Sequence, residues 1–444
     1  MLSLAALPFC LASRPSSAHS VRDGHLFVEE IDPVALAQCL EAPFLLVSRS
    51  QIADNLTFIG DAFRARHASA SLIYSAQLPL AARLCSLLRD AQVHLEAASP
   101  AEIALLCGQG VAASRLVVRA GRGPETVAAA LAAGAGSISL RTMDEAIEVA
   151  AAAAHCGVRA RCMLRFDDEL AGGWWARRPT GPLAGPSELM RARLSQALES
   201  PWLEVVGLGA DLGPQVHETE AYSQLAQLLC GLADELTATA QAAIQSIELG
   251  GGMAGEEIVV VDPQGAPLGA AEGVAREVAY DDYARVVATA LGGRAFELRI
   301  NVGVGLLAGA ATLLARLAPH DGRRPAAVAD RRLALVGDGW LLPDGANSLW
   351  HAPTAVANRA SELHSALHWV ALPRSGRSTS GDAPLHVLRR ALPPTTTSDD
   401  LLAFLDWGAS WDHATVVGDH GETEPAALLV DGNRLSLLEA RAGS

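Results

Sequence analysis

The sequence predicts an α/β protein, a (β/α)8 TIM-like barrel followed by a C-terminal β-rich domain. Two observations carry this. Through the first two thirds of the 444 residues, short apolar, β-branched runs alternate with Ala/Leu-rich helical runs at a spacing of about 22 residues, the pattern of repeated βα units. Beyond about residue 305 the helical periodicity gives way to separated short apolar runs broken by Pro, Gly, Asp and Thr.

Strands are expected at Ser71–Ala76, Val93–Ala98, Arg115–Ala120, Ser137–Arg141, Arg159–Phe166, Leu203–Leu212, Ser246–Gly250 and Phe296–Val302. Helices are expected at Leu80–Asp90, Pro100–Leu106, Pro124–Ala133, Met143–His155, Glu218–Leu236 and Tyr280–Leu291, with Pro or Asp near several starts. Eight βα units in one run favour a closed barrel over an open doubly wound sheet, and in such barrels chemistry sits where the strands end. In the last third, Leu333–Val336, His386–Leu388, Leu401–Leu405 and Ala427–Val430 read as short strands. Phe44–Ser48 is expected to join them, so residues 1–48 are read as a segment contributing to the β domain, 49–304 as the barrel and 305–444 as the β-rich domain. The run 393–397 (Pro-Pro-Thr-Thr-Thr) and the Pro/Gly-rich stretch 262–274 read as surface loops.

With 50% hydrophobic residues the chain can bury a large core. Its net charge of -15, without a basic run, argues against nucleic acid and an anionic membrane surface as partners. No uncharged apolar stretch is long enough to span a bilayer, and the apolar opening Leu2–Ala12 lacks the basic flank of a secretory signal. Seven cysteines, without a CxxC and lying in mostly apolar segments, lead us to expect reduced, buried thiols in a cytoplasmic protein. All 34 cationic side chains are arginine, so the chain has no lysine. Exchange of surface Lys for Arg costs little, and drift toward an Arg-rich composition explains most of the deficit. It does not explain the loss of an amine nucleophile, because a guanidinium stays protonated and forms no imine.

An ordered set of short motifs runs from about Ala42 to Arg441: Ala42-Pro43-Phe44-Leu45-Leu46-Val47, Ser99-Pro100-Ala101-Glu102, Leu249-Gly250-Gly251-Gly252, Val336-Gly337-Asp338-Gly339, Ser380-Gly381-Asp382 and Leu429-Val430-Asp431-Gly432. Together they resemble the fold type III pyridoxal-phosphate (PLP) decarboxylases of ornithine, diaminopimelate and arginine, which pair an alanine-racemase-like barrel with a β domain. PLP chemistry needs an amine to hold the aldehyde, a carboxylate to keep the pyridine nitrogen protonated, and a cradle for the phosphate. At the positions where the resemblance implies these groups, the chain departs from the pattern. Gln77 of Ile73-Tyr74-Ser75-Ala76-Gln77 stands where the YAVKAN-like strand has its lysine. Asn301-Val302-Gly303-Val304 stands at EPGR, so a carboxylate becomes an amide and an arginine becomes valine.

The segment Gly207–Gln215 resembles GLHxHxGSQ, with Asp211 at the ring-stacking histidine and Pro214 at the serine. Ser378 stands at the cysteine that reaches across the dimer interface, and Ser410 at the tyrosine of GAY. What remains is the glycine turn Gly250, Gly251 and Gly252, read either as a vestigial phosphate turn or as a tight barrel turn. Asp338 and Asp382 also remain, read either as facing a ligand amine or as turn carboxylates. The resemblance thus names no confident catalytic residue: Asp211, Asp338, Ser378 and Asp382 are the candidates.

Other constellations are weaker. His364 and His368 share an i, i+4 spacing on an expected helix without HExxH, so a solvated face is favoured over a metal site. Asp412-His413 and Asp419-His420 could bring two imidazoles and two carboxylates together, the best alternative catalytic cluster in the sequence, but in loops rich in Gly and Asp such pairs are read first as solvated turns. Trp174-Trp175 with Arg177-Arg178 reads either as an anion- or protein-binding surface or as a plug. There is no GxSxG, P-loop or Rossmann fingerprint. The joint loss points to a non-catalytic relative, a regulatory or partner protein in amino-acid-derived metabolism. It is expected to be a homodimer or a heterodimer with an active relative, with no cofactor and no metal. The alternative is a repurposed enzyme of amino-acid or natural-product metabolism using the same barrel mouth, with or without non-covalent PLP.

Overall fold

The computed structural model describes residues 14–75, 78–166, 188–212, 216, 218–238, 244–250, 258–259, 279–318, 333–336, 354–373, 385–397, 399–405 and 426–439. The chain forms two compact units, one of residues 56–255 and 278–305, the other of 1–55, 256–277 and 306–444.

The first unit is the barrel. Its strands are β1 (Ala70–Ser75), β2 (His94–Ala97), β3 (Leu116–Arg119), β4 (Ser137–Leu140), β5 (Ala160–Arg165), β6 (Leu203–Asp211), β7 (Ser246–Gly250) and β8 (Glu297–Asn301). All pairings are parallel, and β8 pairs with β1 to close the ring. Each of the eight expected strands is present, with ends moved by no more than one residue. Outward-facing Leu72, Tyr74, Leu95, Val118, Ile138, Leu140, Leu164, Leu208, Ile247, Leu249, Leu298 and Ile300 are buried beneath the helices. The helices after β2 and β4 open with one device: Ser99 accepts from the Glu102 amide and Glu102 from the Ala98 amide, while Thr142 and Glu145 form a full capping box. The Ser-x-x-Glu motif at 99–102 therefore fixes where a helix begins.

In the other unit the main sheet runs Leu385–Leu392, Ala366–Pro373, Leu333–Val336, Ala311–Ala318, Phe44–Ser48, Ala426–Asp431, Arg434–Glu439, and Leu401–Phe404 also pairs with Ala311–Ala318. Phe44–Ser48 thus lies centrally, between a later strand on each side. Phe44, Leu46, Leu314, Leu401, Ala403 and Val430 share one core.

Two expectations need correcting. The segment holding His364 and His368 is not a helix: His368 lies in the strand Ala366–Pro373 and His364 just before it. Pairing of this strand along its whole length with Leu385–Leu392 prevails over helical spacing. The His364 Nδ1 donates to the Glu362 carbonyl and its Nε2 accepts from the Val356 amide, so the ring serves as a turn clip. Nor are all the thiols buried: Cys85, Cys162 and Cys230 are, Cys107 is half-buried, and Cys39 and Cys156 are exposed, all six being free. Cys39 and Cys156 sit at element ends, where apolar neighbours in sequence do not imply burial.

Candidate active site in the barrel mouth

Residues paired in register share a face, so the interior of the barrel can be read row by row. One row runs Arg119, Ser139, Met163, Gly207, Ser246, Glu297; another runs Arg165, Gly209, Glu248, Arg299, Ser71. Such interiors are usually filled by branched apolar side chains. This one is charged.

Two clusters result. Toward the C-terminal strand ends, Arg119 donates to both carboxylate oxygens of Glu96 at 2.5 and 2.6 Å, and Ser75 donates to Glu96 as well. Burial pushes the Glu96 carboxyl up, but the Arg119 hydrogen bonds and charge outweigh it and hold the pKa below the usual range. Arg165, 4% exposed, pairs with Glu248, 1% exposed, and its other Nη lies 3.9 Å from Asp211. The reach from β5 to β7 crosses β6 at Gly209, where a Cβ would stand 3.1 Å from that of Glu248. Glycine there is what lets the guanidinium pass.

Toward the N-terminal ends, Glu297 accepts from Ser71 at 3.0 Å, His94 Nε2 at 2.9 Å, and Arg299 at 2.8 and 3.0 Å. Burial pushes the Glu297 carboxyl up, yet His94 and Arg299 hold it well below the usual carboxylate range; burial lowers the His94 pKa despite its carboxylate partner. Conserving charge balance inside the barrel is what these pairs accomplish.

Of the residues singled out in the sequence, Asp211 lies at the end of β6, its side chain 39% exposed and close to Arg165. Gly250 ends β7, and a Cβ on it would stand 3.1 Å from the Arg165 guanidinium. The structure therefore brings Asp211 and Gly250 together around Arg165. Asn301 ends β8, and its Oδ1 accepts from the Gly303 amide at 3.1 Å, opening the short helix Gly303–Leu307. Gln77, Pro214, Gly251, Gly252, Asp338, Ser378, Asp382 and Ser410 lie outside the described residues, as do the Trp174–Arg178 run, His413 and His420. Among the described residues no cluster of His, Cys, Asp and Glu is arranged to hold a metal ion, and no helix is long and apolar enough to cross a membrane.

Motif reading missed the interior charges themselves. Their signal was present, because His94/Glu96 and Glu297/Arg299 alternate with apolar residues at period two.

PLP held as an imine does not fit these residues. The chain offers no side-chain amine, and the guanidinium against Gly250 is already answered by Glu248 and Asp211.

A family model described as pyridoxal-dependent decarboxylase, pyridoxal binding domain, matches residues 60–297. No curated protein matches the chain. Among solved structures, diaminopimelate decarboxylase from M. jannaschii in complex with L-lysine is 16% identical with a TM-score of 0.73, over 96% of this chain and 95% of that one. The Helicobacter pylori diaminopimelate decarboxylase with L-lysine is 18% identical, TM-score 0.68, over 93% and 97%. A lysine/ornithine decarboxylase from Vibrio vulnificus with putrescine is 15% identical, TM-score 0.60, over 90% and 97%. At such identities the solved structures speak for the fold, and the family model, spanning more than half the sequence, speaks for descent: the chain belongs to the pyridoxal-dependent decarboxylase family.

Proposed function

We propose that this chain is a non-catalytic member of its family, acting as a regulatory or partner protein in amino-acid-derived metabolism, as a homodimer or paired with an active relative. One observation carries the reading: a chain built on a pyridoxal-binding barrel has no lysine at all. Without an amine the aldehyde has no covalent anchor. The amide at Asn301, engaged with the Gly303 backbone, supports the same reading, since a neutral carboxamide cannot hold a pyridinium proton by charge.

Incubation with PLP, borohydride reduction and peptide mass analysis tests this. The expected result is no reduced adduct on an internal residue and no decarboxylation of diaminopimelate, ornithine, arginine or lysine. An internal adduct, or turnover of any of the four, overturns it.

The half-exposed Asp211 carboxylate at a strand end favours a second reading, a repurposed enzyme using the same mouth. On that reading a substrate of other chemistry binds there, and Asp211→Asn abolishes its binding in calorimetric titration while leaving the fold intact. On the first reading no small substrate is turned over by either form.

A further inference from the structure

Inside the barrel, His94 Nδ1 and the hydroxyls of Ser137, Ser139 and Ser246 are buried without a hydrogen-bond partner among the described residues. Their residues are 5%, 0%, 2% and 1% exposed. Leaving such groups dry is costly, and buried polar atoms in folded proteins are nearly always satisfied.

Register places them together. Ser139 faces Arg119 on one side and Met163 on the other; Met163 faces Gly207, and Gly207 faces Ser246, which faces Glu297. Ser137 lies two residues before Ser139 on the same interior face of β4. His94 reaches the row through the Glu297 carboxylate, which accepts from its Nε2 and leaves Nδ1 turned away. The row is therefore ionic at both ends and hydroxylic between.

Interior positions on β6 include Gly207 and Gly209, so this strand withdraws two side chains from the middle of a barrel that usually fills with four per layer. The neighbours lean over the first of these positions and take up the room its missing side chain leaves: a Cβ on Gly207 would come within 2.5 Å of Ser246 Oγ and 2.9 Å of Met163 Cε. A Ser hydroxyl leaning over a glycine, without a protein partner, needs a small polar species beside it.

We propose that the barrel core binds internal water molecules, held between the Ser139, Ser137 and Ser246 hydroxyls and His94 Nδ1, and linking the Glu96–Arg119 pair to the His94–Glu297–Arg299 cluster. Water suits the donor set. A hydroxyl both donates and accepts, and a buried water makes about three hydrogen bonds to otherwise unsatisfied groups. A cation is disfavoured beside Arg119 and Arg299, and an anion beside Glu96 and Glu297.

Two measurements on the full chain test this. Thermal melts of Ser139→Ala and Ser246→Ala decide the sign: a hydroxyl that holds a water loses that bond, and the melting temperature falls by about 2–4 °C. A hydroxyl packed dry is a penalty, so an unchanged or higher melting temperature for both variants overturns the proposal. Independently, water 17O relaxation dispersion counts molecules that stay inside for longer than nanoseconds. Its amplitude is expected to drop by one water or more in Ser246→Ala relative to the parent, and equal amplitudes overturn the proposal even if a variant is destabilised for another reason.

Discussion

Arg165 and Glu248 are buried opposite each other across Gly209, and their value depends on both being present. Removing one partner leaves the other charge uncompensated in a low-dielectric interior, which costs about 3–5 kcal/mol. We expect Arg165→Met to lose that much in urea unfolding, and Arg165→Met/Glu248→Leu to recover most of it; equal losses in single and double variants would contradict the pairing. Gln77→Lys belongs to the same scale. Supplying an amine alone leaves an amide at Asn301 and valine at 304, deficits worth several kcal/mol, or several powers of ten in rate. The expected outcome is no measurable carbon dioxide release from diaminopimelate, ornithine or arginine, and turnover would show that Gln77 is not the lysine's counterpart. Asp211 was legible in the sequence because it interrupts a motif. Arg165 and Glu248 were not, because pairing across a barrel depends on a glycine whose importance appears only when strand register is known.

Elements were the most legible level, and the reason is the strength of their periodicity. Strands such as Ser246–Gly250, buried at every position, and helices such as Pro124–Ala133, opened by proline, have bounds that propensity and burial set together. Residues 364–368 were misread because an isolated i, i+4 histidine pair mimics a helix, whereas the eight-residue ladder with Leu385–Leu392 is a long-range fact. A second long-range contact yields a prediction. His19, on the strand His19–Arg22, hydrogen-bonds Ser16 Oγ and Thr312 Oγ1 at 2.7 Å each, joining that hairpin to the strand Ala311–Ala318. Burial lowers its pKa to about 4. The folded state therefore disfavours the proton that the unfolded chain accepts near pH 6.5, so stability is complete above that pH and declines as pH falls toward 4. Allowing for the residue's partial exposure, the loss is about 1–3 kcal/mol. Denaturant midpoints measured from pH 7 to pH 4.5 should fall less steeply in His19→Gln than in the parent; parallel curves would remove His19 from the acid response.

At the scale of the whole molecule, the described charges inside the barrel answer one another. Glu96, Glu248 and Glu297 each find a guanidinium within the barrel, so no described interior carboxylate depends on a cofactor for its partner. A barrel that relies on its cofactor behaves otherwise, since a bound ligand adds stability in proportion to the logarithm of its concentration over Kd, about 2.7 kcal/mol at a hundredfold excess. For this chain we expect the melting temperature to be unchanged by millimolar PLP, because the imine anchor is missing from the sequence and the Arg165 guanidinium beside Gly250 is already paired. A rise of several degrees would mean that the β7 turn still binds a phosphate ester without an imine, and the repurposed-enzyme reading would then displace the non-catalytic one. Inorganic phosphate separates the two sources of such a rise: an equal shift with phosphate alone would assign it to the glycine turn, and a shift only with PLP would require contacts to the pyridine ring.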